Sequence, residues 1–240
     1  MKPDFYCSVS QDGALSPSDA DRLLKIMNEG GLCILPSDSS YMLTGYIMIK
    51  GVVEDINLLL EREEKNMSLS FHDFDQFSEN FELSDMARDF INRLAPSGLT
   101  FVSQPVDDVT GNHYARKLNT DGTIGIRLSG SRAERQLAKA FPIPTVPIRK
   151  PDHSETGSLN EALEIIGSRY AKLSRYRYLA GVDGPVLHCG EVSTVVEEKE
   201  IDGRWYIVIL REGVIPKEKI ESVAVECEYA GVVDNTERKL

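Results

Sequence analysis

The sequence lacks closely spaced cysteines. Its four, Cys7, Cys33, Cys189 and Cys227, form no C-x-x-C pair, and His72, His113, His153 and His188 are equally scattered. A zinc site built on local spacing is therefore not offered, and reduced, mostly buried thiols are expected instead. Long apolar runs are missing too, since none approaches the roughly 18 residues of a membrane span. The opening residues, MKPDFYCSVSQDG, lack the basic start and apolar stretch of a secretory signal. The expectation is a cytoplasmic protein with no membrane partner. There is no G-x-G-x-x-G and no G-x-x-x-x-G-K-[ST], so neither the dinucleotide fingerprint nor the P-loop applies. Internal repeats and low-complexity segments are also lacking. An excess of positive charge is missing as well. The formal net charge of −11 argues against nucleic-acid binding through overall charge, and against DNA specificity.

The basic residues that are present are unevenly placed. Between Arg116 and Arg177 they outnumber acidic ones by 12 to 6. A local basic face on an acidic protein suits a phosphate-bearing ligand of limited size. Leu23, Leu24 and Met27 at helical spacing predict a helix over 17–29, capped by Ser18 or Asp19 and stopped at Gly30-Gly31. Further helices are predicted over 52–64, 84–96 (capped by Ser84), 131–141 and 159–173. LCILP reads as a buried strand, and 67–73, 99–104 and 123–129 read as strands. The last puts Ile124, Ile126 and Leu128 on one face and Arg127 on the other. The proline-rich 141–151 reads as extended. Two late strands, STVVEE and WYIVILRE, join through a hairpin turn at Asp202-Gly203. The even βαβ rhythm of a parallel fold is absent. The pattern predicts one α+β domain over 15–222, a twisted mixed sheet flanked by helices. An N-terminal extension (1–14) precedes it and an acidic tail (223–240) follows.

GGLCILPSDSSYMLTG poses a functional question. An apolar strand stops on Pro36 and releases Ser37, Asp38, Ser39 and Ser40 before Tyr41. Such a strand suits the delivery of polar side chains into a cleft. Asp38 suits orienting a ligand or a water, or closing an Asx-turn. Arg127 reads as a phosphate contact or an ion-pair residue. Arg211 ends an apolar strand, where its planar fork can point into a groove. Ser193 and Thr194 offer hydroxyl donors to oxyanions, or cap a strand start. No local His or Lys activates them as nucleophiles, so no catalytic residue is assigned. RYAKLSRYRYLAG interleaves cations with tyrosines, which suits base stacking or a solvated helix end. ERQLAKAF reads as an ordinary amphipathic helix, and His113 and His153 receive no role.

Five segments, in order, resemble the YrdC/YciO family. GGLCILPSDSSYML is similar to the family's G-G-x-x-x-x-P-T-D-T-x-Y-x-L, and LAPSGLTFV to its W-P-G-P-L-T. TIGIRLS is similar to T-[IV]-G-[IV]-R-[VL]-P, GVDGPVLHCGEVSTVVE to D-G-G-x-x-x-x-x-x-S-T-V-V-D, and ILREG to I-[LV]-R-x-G. The likeness covers about residues 15–220, with helix order closer to the YciO branch. It implies a YrdC-like twisted mixed sheet flanked by helices, with an open, concave, positively charged face. Typical members are threonylcarbamoyl-AMP synthases acting in tRNA threonylcarbamoyladenosine modification, and the fold has been described as binding double-stranded RNA. The implied substrates are ATP, with Mg²⁺ as its companion ion, threonine and bicarbonate. The implied partners are a nucleotide or a structured, tRNA-like RNA. The binding residues that the resemblance implies are Ser37, Asp38, Ser39, Tyr41, Arg127, Ser193, Thr194 and Arg211; Arg62, Arg149 and Lys150 join the candidate set as cations at the places where the chain departs from the family motifs.

Two departures stand out. The synthases carry K-x-R before a P-L strand to hold the triphosphate and carbamate. An ungapped reading puts Glu61 and Glu63 there, and a one-residue shift restores Arg62 alone. Each charge reversal about 4 Å from a phosphate oxygen is unfavourable by several kcal/mol at a dielectric near 20. In the family's P-S-x-N segment, Ile148 replaces the serine and Lys150 the asparagine, with Arg149 between them. Two readings therefore stand: a synthase-like nucleotidyltransferase, or a non-catalytic double-stranded RNA- or nucleotide-binding module with a degenerate site. A YciO-type protein acting on an unrelated small anion is a third.

Overall fold

The structure, a computed structural model, describes residues 1–63, 67–78, 80–105, 118 and 122–236. Among these residues the chain forms eleven strands. They are β1 (Phe5–Ser8), β2 (Leu32–Pro36), β3 (Tyr41–Gly45), β4 (Ser68–Ser70), β5 (Leu99–Ser103), β6 (Ile124–Arg127), β7 (Ile143–Pro147), β8 (Leu179–Asp183), β9 (Thr194–Ile201), β10 (Arg204–Arg211) and β11 (Val232–Asp234). Seven helices accompany them: α1 (Pro17–Asn28), α2 (Val52–Leu59), α3 (Phe74–Ser78), α4 (Asp85–Leu94), α5 (Arg132–Ala138), α6 (Leu159–Arg169) and α7 (Lys217–Glu226). The strands join in one twisted mixed sheet, ordered β1-β8-β2-β3-β7-β4-β6-β5-β9-β10-β11.

β2 shows why the sheet is covered on both faces. All five of its residues are buried. Leu32 and Ile34 join a core with Ile56 of α2 and Ala162 and Ile166 of α6. Cys33 and Leu35 join a second core with Leu23 and Met27 of α1 and Leu137 of α5. Period-two alternation thus sends neighbouring side chains to opposite helical layers, as a continuous apolar strand requires. β2 and β3 pair antiparallel from Leu32↔Gly45 to Pro36↔Tyr41. The polar run Ser37–Ser40 is therefore a hairpin turn, closed by the Ser37 N–H donating to the Ser40 carbonyl at 3.0 Å. The expected hairpin at Asp202-Gly203 is present, with φ of 50° and 74° suiting its primed turn.

Helix ends differ from expectation in instructive ways. Ser16, not Ser18 or Asp19, caps α1 by accepting from the Asp19 N–H. Ser84 and Ser131 cap α4 and α5 in the same way. α2 stops at Leu59 rather than running to 64. The Glu61 N–H donates to the Leu58 carbonyl at 3.2 Å and the Arg62 N–H to the Asn57 carbonyl at 2.9 Å. This pair of bonds closes the helix with Glu61 in the left-handed position that glycine usually takes, at φ 52°. The terminal segments are not loose appendages where described. β1 pairs with β8, α7 runs through the expected boundary at 222 to Glu226, and β11 pairs with β10.

Cys7, Cys33 and Cys227 are buried and Cys189 is exposed. Burial pushes the Cys7 and Cys227 thiols up to about 11, and Cys33 higher still. Because the thiolate is the nucleophile, a maleimide at neutral pH is expected to modify one thiol rapidly, and Cys189→Ser to abolish that fast phase. Two or more fast thiols would show that the packing around β1 and β2, or at the end of α7, is open.

Candidate functional site

The hairpin turn, the end of α2, β6, β7 and the β9 entry surround a cleft of about 860 Å³. That size suits a nucleotide-scale ligand. Six cations line it, Arg62, Arg127, Arg149, Lys150, Arg169 and Arg211, against Glu61, Glu63 and Glu155. Ser37, Ser39 and Ser193 line it too. Of the residues expected at the site, these three serines, Arg62, Arg127, Arg149, Lys150 and Arg211 are brought together. Ser40, of the polar run, shares the lining, and sequence reading missed Ser68, Thr145, His153, Glu155 and Arg169 there. His113 lies outside the described residues.

Three expected residues stand behind the lining. Tyr41 is fully buried, its hydroxyl donating to the Gly184 carbonyl at 2.7 Å and accepting from the Gly184 N–H at 3.0 Å. It opens β3, and alternation turns it away while Met42 lines the cleft. Burial pushes its hydroxyl up to about 12. Asp38 is buried under the cleft, its Oδ2 accepting from Arg127 Nη2 at 2.8 Å and from Ser129 Oγ at 3.1 Å. Thr194 Oγ1 accepts from the N–H groups of Gly213 and Ile215, each at 3.0 Å, and donates to the Ile215 carbonyl at 2.8 Å. It fastens the turn after β10 against the start of β9. Gly213 permits that approach, because a Cβ there would fall 2.1 Å from the Val192 carbonyl oxygen.

This fastening sets Arg211 beside Ser193. Arg211 Nε donates to the Ser193 carbonyl at 3.0 Å and Nη2 to Ser193 Oγ at 2.7 Å. Thr100 Oγ1 also donates to Ser193 Oγ, at 3.1 Å. The Ser193 lone pairs are thus occupied, and its own hydrogen is available to an oxyanion in the cleft. No carboxylate among the described residues lies within ion-pair distance of Arg211. Burial first, then the neighbouring Arg149 and Arg127, push its guanidinium below its ordinary value. Burial and then Arg149 do the same to Arg62. Crowded, partly desolvated guanidiniums are stabilised by an incoming anion.

The structure gives each departure from the synthase pattern its own setting, while Glu63 still lines the cleft. The α2 terminus turns Arg62 to the cleft and lets Glu61 pair with Arg169 at 2.9 Å and with Lys172. Hydrogen bonding from Lys172, then the Arg169 charge, holds the Glu61 carboxyl below its usual range. The repulsion expected of Glu61 is therefore countered by two cations far away in sequence. Ile148 is fully buried, so the position of the family serine is apolar core here. Arg149 pairs with Glu155 at 3.0 Å and Lys150 with Glu161 at 2.9 Å. Among the described residues no cluster of three His, Cys, Asp or Glu could hold a metal ion, and no helix is long and apolar enough to cross a membrane.

The Sua5/YciO/YrdC family model, described as telomere recombination, matches residues 25–213. The chain belongs to the Sua5/YciO/YrdC family. No curated protein sequence matches it. Its fold is similar to that of P. abyssi Sua5 complexed with L-threonine, at TM-score 0.73 and 20% identity, covering 96% of this chain and 62% of that one. This family member thus spans less than two thirds of that Sua5. It is also similar to E. coli YciO, at TM-score 0.68 and 20% identity, covering 89% of this chain and 97% of that one. A third likeness is full-length HypF in a phosphate- and nucleotide-bound form, at TM-score 0.60 and 13% identity, covering 79% of this chain and 28% of HypF. At such identities these likenesses concern the fold.

The buried Asp38–Arg127 pair generates a stability prediction. Asp38→Ala would leave a guanidinium buried without its carboxylate, and is expected to lower the unfolding free energy in urea by about 3–5 kcal/mol. Asp12→Ala, which removes an exposed partner of Arg132, is expected to change it little. Equal losses would show that burial of the Arg127 pair carries no special weight.

Proposed function

We propose that the cleft binds a nucleoside triphosphate and that the protein adenylylates an amino-acid carbamate, in the manner of threonylcarbamoyl-AMP synthases. One observation carries the reading: Arg211, Arg127, Arg149 and Arg62 crowd one cleft, with Arg211 and the Ser193 hydroxyl turned to it. Family membership supports it. So do the L-threonine bound to P. abyssi Sua5 and the phosphate and nucleotide bound to HypF, as ligands of those proteins.

In this chemistry the threonine amine attacks carbon dioxide derived from bicarbonate and loses a proton. The resulting carbamate oxygen attacks the α-phosphorus of ATP. The bond to the β-phosphate oxygen breaks, and pyrophosphate departs with the electron pair. Side chains need form no covalent bond, so positioning and charge stabilisation do the work. Arg211, Ser193 and Arg62 would hold phosphoryl oxygens, while Arg127 and Ser37 would face the carbamate end. Mg²⁺ enters as part of the substrate, MgATP. The activated carbamoyl group would then pass to a structured, tRNA-like RNA. A second reading, a nucleotide- or RNA-binding module without turnover, draws on Glu61 and Glu63 lining the cleft.

The test is pyrophosphate release from ATP, threonine and bicarbonate, alongside calorimetric ATP binding. Release above background is expected. Arg211→Ala is expected to weaken ATP binding roughly 10- to 100-fold, from loss of a charge-assisted contact. ATP binding without release would select the non-catalytic module, and no ATP affinity at all would reject both nucleotide readings.

A further inference from the structure

Glu134 lies in the helix whose sequence reads as ordinary and amphipathic, yet its side chain is fully buried beneath the Ser37–Ser40 turn. Its Oε2 lies 2.6 Å from Ser37 Oγ and 2.7 Å from Ser129 Oγ. Ser129 Oγ lies 3.1 Å from Asp38 Oδ2. Two carboxylates therefore stand one hydroxyl apart, out of water. The charged groups around Glu134 are Asp38, from the turn after β2, and Arg127, from β6. Arg135, on the same helix, directs its guanidinium to the Ser129 carbonyl. One guanidinium cannot cheaply offset two buried anions, and Arg127 is bonded to Asp38. Glu134 is thus the carboxyl that keeps its proton. Burial, reinforced by the Asp38 charge and opposed by Arg127, raises it above the usual carboxylate range.

The hydrogen count gives this proton a consequence. Ser37 lines the cleft and has a single hydroxyl hydrogen. When Glu134 is ionised, that hydrogen is committed to Oε2 and the cleft meets only lone pairs. When Glu134 is neutral, its Oε2–H donates to Ser37 Oγ and the Ser37 hydrogen is released towards the cleft. The Ser129 hydrogen then goes to Asp38 Oδ2. We propose that Glu134 is a proton-carrying positioning residue that makes Ser37 a hydroxyl donor to an anionic ligand oxygen, so that anion binding is coupled to proton uptake. The inference deepens the proposed nucleotide site and rests on the cleft being an anion site.

ATP is the probe. Calorimetry in buffers of unlike ionisation heat is expected to show proton uptake on binding at pH values where Glu134 is partly ionised. Native affinity is expected to fall with rising pH, relative to Glu134→Gln, by up to about tenfold per pH unit once Glu134 ionises. In Glu134→Gln the amide donates to Ser37 at every pH, so the excess slope disappears. Ser37→Ala is expected to lose the excess slope too, while retaining the infrared carbonyl band of a protonated buried carboxyl. Glu134→Gln loses that band. A merely structural Glu134 would give one slope in all three proteins, which overturns the inference and leaves the cleft reading intact. Absence of the carboxylic-acid band from the free native protein at neutral pH also overturns it. No ATP affinity at any pH overturns the cleft reading, and this inference with it.

Discussion

A guanidinium taken out of water needs a carboxylate beside it, and the Arg127–Asp38 pair meets that need at the floor of the cleft. Arg127 ends β6, and Asp38 occupies the turn between β2 and β3. Their contact ties together two parts of the sheet separated by β3, β7 and β4. It also explains why small residues surround it. A Cβ on Gly130 would fall 2.7 Å from Asp38 Oδ1, so a larger residue would press on the carboxylate.

From that pair the cleft is layered. Beneath it, Ser129 and Glu134 are sealed from solvent and reach up to Ser37, whose side chain lines the cleft. Above it, cations are apportioned among partners. Arg149 and Lys150 are held by acids on the following loop and helix, and Arg169 by Glu61. Arg211 is instead steadied by the Ser193 carbonyl and hydroxyl. Neutral acceptors orient a guanidinium without cancelling its charge. The same fastening, through Thr194 and Gly213, leaves the Ser193 hydrogen available. A protein with net charge −11 thus lines one cleft with six cations against three carboxylates.

Much of the architecture was legible because it depends on local pattern. The alternation in TIGIRLS, the serine before α4 and the apolar run of β2 each express short-range sterics and capping. The side-chain roles were less legible. Tyr41 and Thr194 carry the same polar groups whether they touch a ligand or brace a turn, and the difference lies in what packs against them. Glu134 looked like a solvated helix residue because its partners lie 97 and 5 positions away, on a turn and a strand end. Glu61 looked repulsive because Arg169 and Lys172 are over a hundred residues further on.

The amino-acid order by itself determined the family, the mixed α+β sheet, the polar run from Ser37 to Ser40 that ends an apolar strand, and the basic bias of the central region. These follow from periodicity, turn chemistry and residue type along a continuous stretch. Only the tertiary structure decided which charges are neutralised, which hydroxyl hydrogens are committed, and which carboxyl keeps its proton. Those properties depend on distances of about 3 Å and on exclusion of water, and neither is defined until distant segments have packed together.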